Sequence, residues 1–207
     1  MLSSVRPIIG LDLDECLGQF VHNLALFYNR THGTHLTVDD FHSYSFWEVW
    51  GGDCETSAQV IDAFFKDPLF VDGIPVVDGS FEALSTLHEK FDIYIVTSRH
   101  ACIESITRKW VETHYPGLIK EILVGNLWSS DGHKLTKKEM CKRIGASVLI
   151  DDNWNYIHEC RDVVKVPILF GEYGWNRRSD PKDYEGMVRC RNWEEVVNVL
   201  MNYDFSK

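Results

Sequence analysis

Four short stretches of this chain end in side chains suited to metal ions and anions. Asp12 and Asp14 close "PIIGLDLDE", and Thr97, Ser98 and Arg99 close "YIVTSR". Lys137 and Lys138 lie in "LTKKEM", and Asp151 and Asp152 close "VLIDDN". Side chains alternate along a strand, so Asp12 and Asp14 project to the same side. Like charges held that close repel, and one is pushed toward protonation. If Asp151 and Asp152 converge on the same place, the group requires a cation. An all-oxygen set suits a hard ion such as Mg²⁺, which keeps several waters and binds a substrate phosphate. Thr97 and nearby backbone N–H groups can hydrogen-bond phosphoryl oxygens, and a lysine neutralises further charge. Together with a nucleophilic carboxylate, these parts describe phosphoryl transfer.

Each signal has a plainer reading by itself. An Asp-x-Asp at a strand end is commonly a pair of solvated acids, Thr97-Ser98 can cap the next helix, and Asp151-Asp152-Asn153 can be a turn. Their agreement in order and position favours the functional reading. His32 and His35 have no cysteine partner at zinc-site spacing, and Gly33 interrupts any helix there, so they read as a polar loop. The aromatics of "FHSYSFWEVWGG" divide two ways. Phe46, Trp47 and Trp50 either form a wall against a flat substrate group or pack a small core of their own. Trp175, Asn176 and Arg177 in "FGEYGWNRR" are further candidates for substrate contact.

The elements that must position these residues are legible from hydropathy. Pro7 to Leu13, Asp92 to Thr97, Glu121 to Val124, Val148 to Ile150 and Val166 to Phe170 are continuous apolar runs, as expected of buried parallel strands. Helical patterns separate them. "DGSFEALSTLHEKF" and "CIESITRKWVETHY" carry apolar residues at helical spacing, and "TKKEMCKRIGA" opens on a capping box and closes on Gly145. This alternation predicts a doubly wound, Rossmann-like α/β fold with a five-stranded parallel sheet, whose ligands sit at the carboxyl ends of the strands. The first two strands are about eighty residues apart, far more than a crossover requires. The excess is largely helical in pattern, with stripes at Phe20, Leu24, Phe27 and Tyr28 and at Val60, Ile61, Phe64 and Phe65. The expected organisation is therefore a core of residues 1–16 and 75–207 with a helical cap, 17–74, inserted after the first strand as a lid over the aspartates.

Composition narrows the setting. With a net charge of -10, the chain is a poor partner for nucleic-acid polymers, although a local pocket can still take a small phosphorylated ligand. Six scattered cysteines without a CxxC pair read as reduced thiols in a cytoplasmic protein. No apolar run approaches the length of a membrane span.

In order and placement, "LDLDE", "IVTSR", "LTKKE" and "LIDDN" resemble the four motifs of the haloacid dehalogenase-like (HAD) superfamily of phosphatases. Within it, the chain is most similar to the 5′(3′)-deoxyribonucleotidase-type group. That group also has a helical cap after the first strand, an Ile-Asp-Asp ending on the fourth, and a terminal Trp-rich helix that "RNWEEVVNVL" resembles. Glu15-Cys16 departs from the Gly that many of these phosphatases carry after the second aspartate. The resemblance implies an Mg²⁺-dependent phosphomonoester hydrolase, with a nucleoside monophosphate or another small phosphometabolite as substrate. It assigns Asp12 as the nucleophile that forms an aspartyl-phosphate and Asp14 as general acid and base. It assigns Asp12, Asp151, Asp152 and the main-chain carbonyl of Asp14 to the metal. Thr97, Ser98, Arg99 and a lysine fall on the phosphate; Lys137 is preferred to Lys138 because it directly follows the capping Thr136. The alternative is a catalytically silent HAD-like module that binds a ligand or partner. Intact Asp12 and Asp14 argue against it.

Overall fold

The computed structural model describes residues 6–127 and 132–206. The first element is β1 (Ile8–Leu11), in which Ile9 and Leu11 are buried and Ile8 is half-buried. The helices α1 (Phe20–His32), α2 (Trp47–Trp50), α3 (Cys54–Phe64) and α4 (Pro68–Val71) follow. Then α5 (Ser80–His88) leads into β2 (Asp92–Thr97), and α6 (Glu104–His114) into β3 (Glu121–Val124). The rest of the chain continues as α7 (Lys137–Ile144), β4 (Val148–Asp151), α8 (Trp154–Cys160), β5 (Val166–Phe170), β6 (Val188–Cys190) and α9 (Trp193–Asn202).

All strand pairs are parallel, in the order β3-β2-β1-β4-β5-β6. At the centre, Ile9 pairs with Ile93 on one side and Val148 on the other. Strand order reverses between β1 and β4, and a crevice opens at their carboxyl ends where the chain departs in opposite directions. Among the described residues the sheet has six strands, not the five expected. The sixth, "VRC", is an edge strand with Arg189 at its middle. An edge strand covered on one side carries no continuous apolar run, so hydropathy gave it no signal. The first strand is also shorter than expected: after Leu11, only the Asp12 amide still reaches the ladder, donating to Ile150 O at 2.9 Å. The chain then turns back through Leu17 and Gly18, both of whose amides donate to Leu13 O.

The helices between β1 and β2 leave and rejoin the sheet side by side. The Gln19 amide donates to Pro75 O at 2.8 Å and the Val77 amide to Leu17 O at 2.7 Å. Tryptophans of the sheet-covering helices grip both passages: Trp193 Nε1 donates to Cys16 O and Trp110 Nε1 to Ile74 O, each at 2.9 Å. A side chain at Gly18 would run into Ile74, which explains the glycine where the passages touch. Beyond them the insertion packs on an aromatic cluster, with Phe20 centred 5.3 Å from Phe64 and 6.3 Å from Phe70. These edge-on contacts add to burial for a segment too small to have a deep aliphatic core. Among the described residues no helix is long and apolar enough to cross a membrane.

Candidate active site

The site forms where β1 and β4 end. Asp12 follows β1 and Asp151 closes β4, so the register that pairs Leu11 with Ile150 brings the two carboxylates together. Helix α7 delivers the third member. Thr136 caps it, accepting from the Glu139 amide while the Glu139 carboxylate accepts from Thr136 N at 2.8 Å. This fixed start places Lys137 in the first turn, facing inward. Its ammonium is fully buried, 2.5 Å from Asp12 Oδ1 and 2.8 Å from Asp151 Oδ2, and it donates to Val96 O at 2.6 Å. Lys138, one residue on, faces solvent and pairs with Asp162.

Burial is the dominant influence on these groups. It raises the Asp12 carboxyl against the opposing pull of Lys137, with Asp151 and Asp14 adding to the rise. Asp151 is raised by burial against the same lysine. Asp152 is raised by burial and then by its neighbours Asp151 and Asp12. On Lys137 burial acts downward, but Asp12 and Asp151 outweigh it and hold the ammonium above its ordinary value. One lysine is therefore too little charge for the carboxylates around it.

The donor set fits a divalent cation. Ligand atoms of Asp12, Asp151 and Asp152 all lie within 4.8 Å of one another, and all three residues are buried. Asp152 Oδ1 is buried with no hydrogen-bond partner among the described residues, although an acceptor left bare in the interior is costly. A hard cation surrounded by oxygens, directly or through water, removes both the excess charge and the bare acceptor.

Asp14 projects from the turn after β1 and meets a cation of its own. Arg99, just past β2, clasps it: Nη2 lies 2.6 Å from Oδ1, and Nε lies 3.1 Å from Oδ2. Nη1 donates to Thr107 Oγ1 at 3.0 Å, and Phe70 of α4 stacks 5.3 Å from the guanidinium. In this arrangement the fork pairs with Asp14, beside the position where the sequence led us to expect a phosphate group. Thr97 is buried beneath, its hydroxyl accepting from the Arg99 amide at 3.2 Å, while Ser98 and Arg99 line the cleft. Arg99→Lys keeps the charge and loses the fork. We expect kcat to fall on the order of 10- to 100-fold, as misplacement of a reacting group does, with a smaller change in KM. Steady-state kinetics on one alkyl phosphate checks this.

Above the aspartates lies a cleft with aromatic walls, among them Phe20, Tyr44, Phe46, Trp47 and Phe65 from the insertion and Tyr156 from α8. The two readings of the aromatic stretch therefore separate by residue. Phe46 and Trp47 face the cleft. Trp50 does not line it, being stacked on Tyr28 with centroids 4.4 Å apart and planes 7° from parallel. Trp50 is half-buried, so Trp50→Ala is expected to cost about 1–3 kcal/mol of stability, less than the loss of a fully buried aromatic. Trp47→Ala is expected instead to reorder preference among substrates while the melting temperature holds. Thermal melts and a substrate series on both variants distinguish the two effects.

The late loop is also a supporting structure. Trp175 Nε1 donates to Asp152 Oδ2 at 2.6 Å, and Asn176 Nδ2 donates to Asp152 O and Phe170 O, each at 2.9 Å. Arg177 is exposed and is not part of the cleft wall. Sequence reasoning missed three residues at the site. Tyr156 lies under the Lys137 ammonium, with its ring centre 5.3 Å away. Tyr44 bonds Asp152. Glu15, in the left-handed region at φ 60°, turns inward to cap α1, its carboxylate accepting from the Val21 amide at 2.6 Å. Burial pushes the Glu15 carboxyl up to about 8. The departure from Gly after the second aspartate thus supplies a helix cap that Gln19, at the N-cap position, does not provide.

Several solved structures share this architecture. A predicted phosphatase from Clostridium acetobutylicum superposes with a TM-score of 0.67 at 17% identity, covering 97% of this chain and 100% of its own. YfnB of Bacillus subtilis, in its magnesium-bound form, gives 0.63 at 17% identity over 96% and 99% of the two chains. A haloacid dehalogenase-like hydrolase from Streptococcus pneumoniae gives 0.65 at 14% identity over 94% and 98%. At these identities the likeness is one of fold. No curated protein sequence matches. The family model described as 5′ nucleotidase, deoxy (pyrimidine), cytosolic type C protein (NT5C) matches residues 6–204, and the chain belongs to that family.

Proposed function

We propose that this enzyme hydrolyses a nucleoside monophosphate through an aspartyl-phosphate on Asp12, with Mg²⁺ at the aspartate cluster. The observation that carries the proposal is the buried Lys137 bridging Asp12 and Asp151, with Asp14 clasped beside them at the foot of an aromatic cleft. Lys137 holds Asp12 Oδ1, leaving Oδ2 to attack phosphorus. As that bond forms, the ester P–O bond breaks and the departing oxygen takes a proton from Asp14. Asp14 then takes a proton from water, whose oxygen attacks the aspartyl-phosphate, releasing inorganic phosphate and restoring Asp12. Thr97 and Ser98 with adjacent backbone N–H groups would hold the phosphoryl oxygens, joined by Lys137. Asp12, Asp151, Asp152 and the Asp14 carbonyl would hold Mg²⁺, which supplies positive charge to the transferring group. The magnesium bound to YfnB supports this choice of ion.

The substrate class rests on the family description and on the cleft. Flat rings of Phe46 and Trp47 suit stacking against a nucleobase. We further propose that residues 17–74 act as the lid that closes this wall over the phosphate position. The test is phosphate release from deoxynucleoside and nucleoside monophosphates, sugar phosphates and an aryl phosphate, with Mg²⁺ or with EDTA. Release that depends on the metal and ranks nucleotides first is expected. Ranking the sugar phosphates first would overturn the substrate class, and release undiminished by EDTA would overturn the metal.

A further inference from the structure

Asp152 is held by both parts of the molecule at once. Its Oδ2 accepts two hydrogen bonds, from Trp175 Nε1 at 2.6 Å and from Tyr44 Oη at 2.7 Å. Trp175 lies in the turn after β5, whereas Tyr44 belongs to the insertion, just ahead of α2. Two donors on one oxygen fix the rotation of the carboxylate, and the other oxygen, Oδ1, is the buried one without a partner. The junction around this pair is tight. Tyr44 and Trp175 rings lie 5.1 Å apart, and Tyr173 stacks on Trp175 at 4.6 Å and donates to Glu15 O at 2.9 Å. At Gly174 the two backbones approach so closely that an added Cβ would collide with the Phe41 carbonyl.

We propose that Tyr44 is a positioning residue that docks the inserted helical segment onto the metal site, so that cation binding and closure of that segment over the cleft favour one another. This rests on the reading that Asp12, Asp151 and Asp152 hold Mg²⁺. Outer groups that orient a metal ligand commonly matter 10- to 100-fold in metal affinity. Here one such group sits on the lid. If docking Tyr44 orients Asp152 for the cation, the bound cation must in turn favour the docked lid by the same factor. The aromatic wall and the charged site would then form in a single step.

The test uses the full chain and two variants. Tyr44→Phe removes one hydroxyl and keeps the ring contact with Trp175. Gly174→Ala keeps both donor side chains but pushes the Phe41 backbone, and Tyr44 with it, off the core loop. Melts without metal establish that each variant is folded. Isothermal titration gives Mg²⁺ affinity, and hydrogen exchange over residues 41–52, with and without Mg²⁺, reports docking. We expect Mg²⁺ to slow exchange in the original chain. In each variant we expect affinity to fall by about tenfold or more, with the protection lost. Should one variant not fold, the other decides the question by itself. Equal affinity in the original chain and a folded variant would overturn the coupling. So would reduced affinity with undiminished protection. If the original chain binds no Mg²⁺, the metal reading beneath the proposal fails, which is a different result from binding that ignores Tyr44.

Discussion

Asp12→Asn is expected to reduce phosphate release by roughly 10⁴-fold or more, as loss of a nucleophile does, while the protein remains folded. Both halves of this result follow from the site. In the proposed reaction asparagine cannot form the aspartyl-phosphate, so the first step is lost and not merely part of a barrier. Its amide oxygen can still accept from Lys137, which now lies 2.5 Å from Asp12 Oδ1. The substitution also removes one carboxylate from a buried set in which burial, Asp151 and Asp14 already push Asp12 toward its neutral form. Relief of that repulsion offsets the weakened ion pair, so the melting temperature without metal should be unchanged or higher. Phosphate release and a thermal melt on the same preparation provide the check. Near-normal turnover would remove Asp12 as nucleophile, whereas an unfolded variant would show that its charge is needed to hold Lys137.

Lys137→Met is expected to damage both stability and turnover, and Lys138→Met neither. Without its ammonium, Asp12 and Asp151 face one another and Asp152 in the interior, and Val96 O loses a donor. Breaking a buried pair from one side costs about 3–5 kcal/mol, because the remaining charge stays buried and unpaired. For a chain of this length that lowers the melting temperature by on the order of 10 °C. Added Mg²⁺ should recover part of the loss by replacing the missing charge. Lys138 pairs with Asp162 at the surface, where water screens both groups, so its removal should leave the melt and the kinetics in place. Calorimetry with and without Mg²⁺, together with turnover of both variants, settles the comparison. Equal effects at the two positions would contradict the orientation of α7.

The sequence by itself determined the central strands and the kinds of chemistry at their ends. Buried parallel strands are continuous apolar runs, and Asp12, Thr97 and Asp151 are read directly from where those runs stop. The start of α7 was equally local, since Thr136 and Glu139 satisfy each other within one turn. Family likeness added roles to these positions because its motifs are themselves short strand ends. The edge strand β6 was illegible, being too short and too polar for hydropathy to mark.

Tertiary structure decided everything that joins distant parts of the chain. Adjacent lysines on a helix point about 100° apart, and only the packing of α7 against β1 and β2 shows that Lys137 is the one turned inward. The clasp of Arg99 on Asp14 spans 85 residues and the bond from Tyr44 to Asp152 spans 108. Neither leaves a periodic trace, since the first pair meets only when β1 and β2 pair in the sheet and the second only when the insertion folds back over it. Phe46, Trp47 and Trp50 are alike as residue types, yet Phe46 and Trp47 line the cleft while Trp50 stacks on Tyr28 away from it. Local patterns follow from backbone geometry and burial along one element, whereas the identity of a partner depends on the path by which two elements meet.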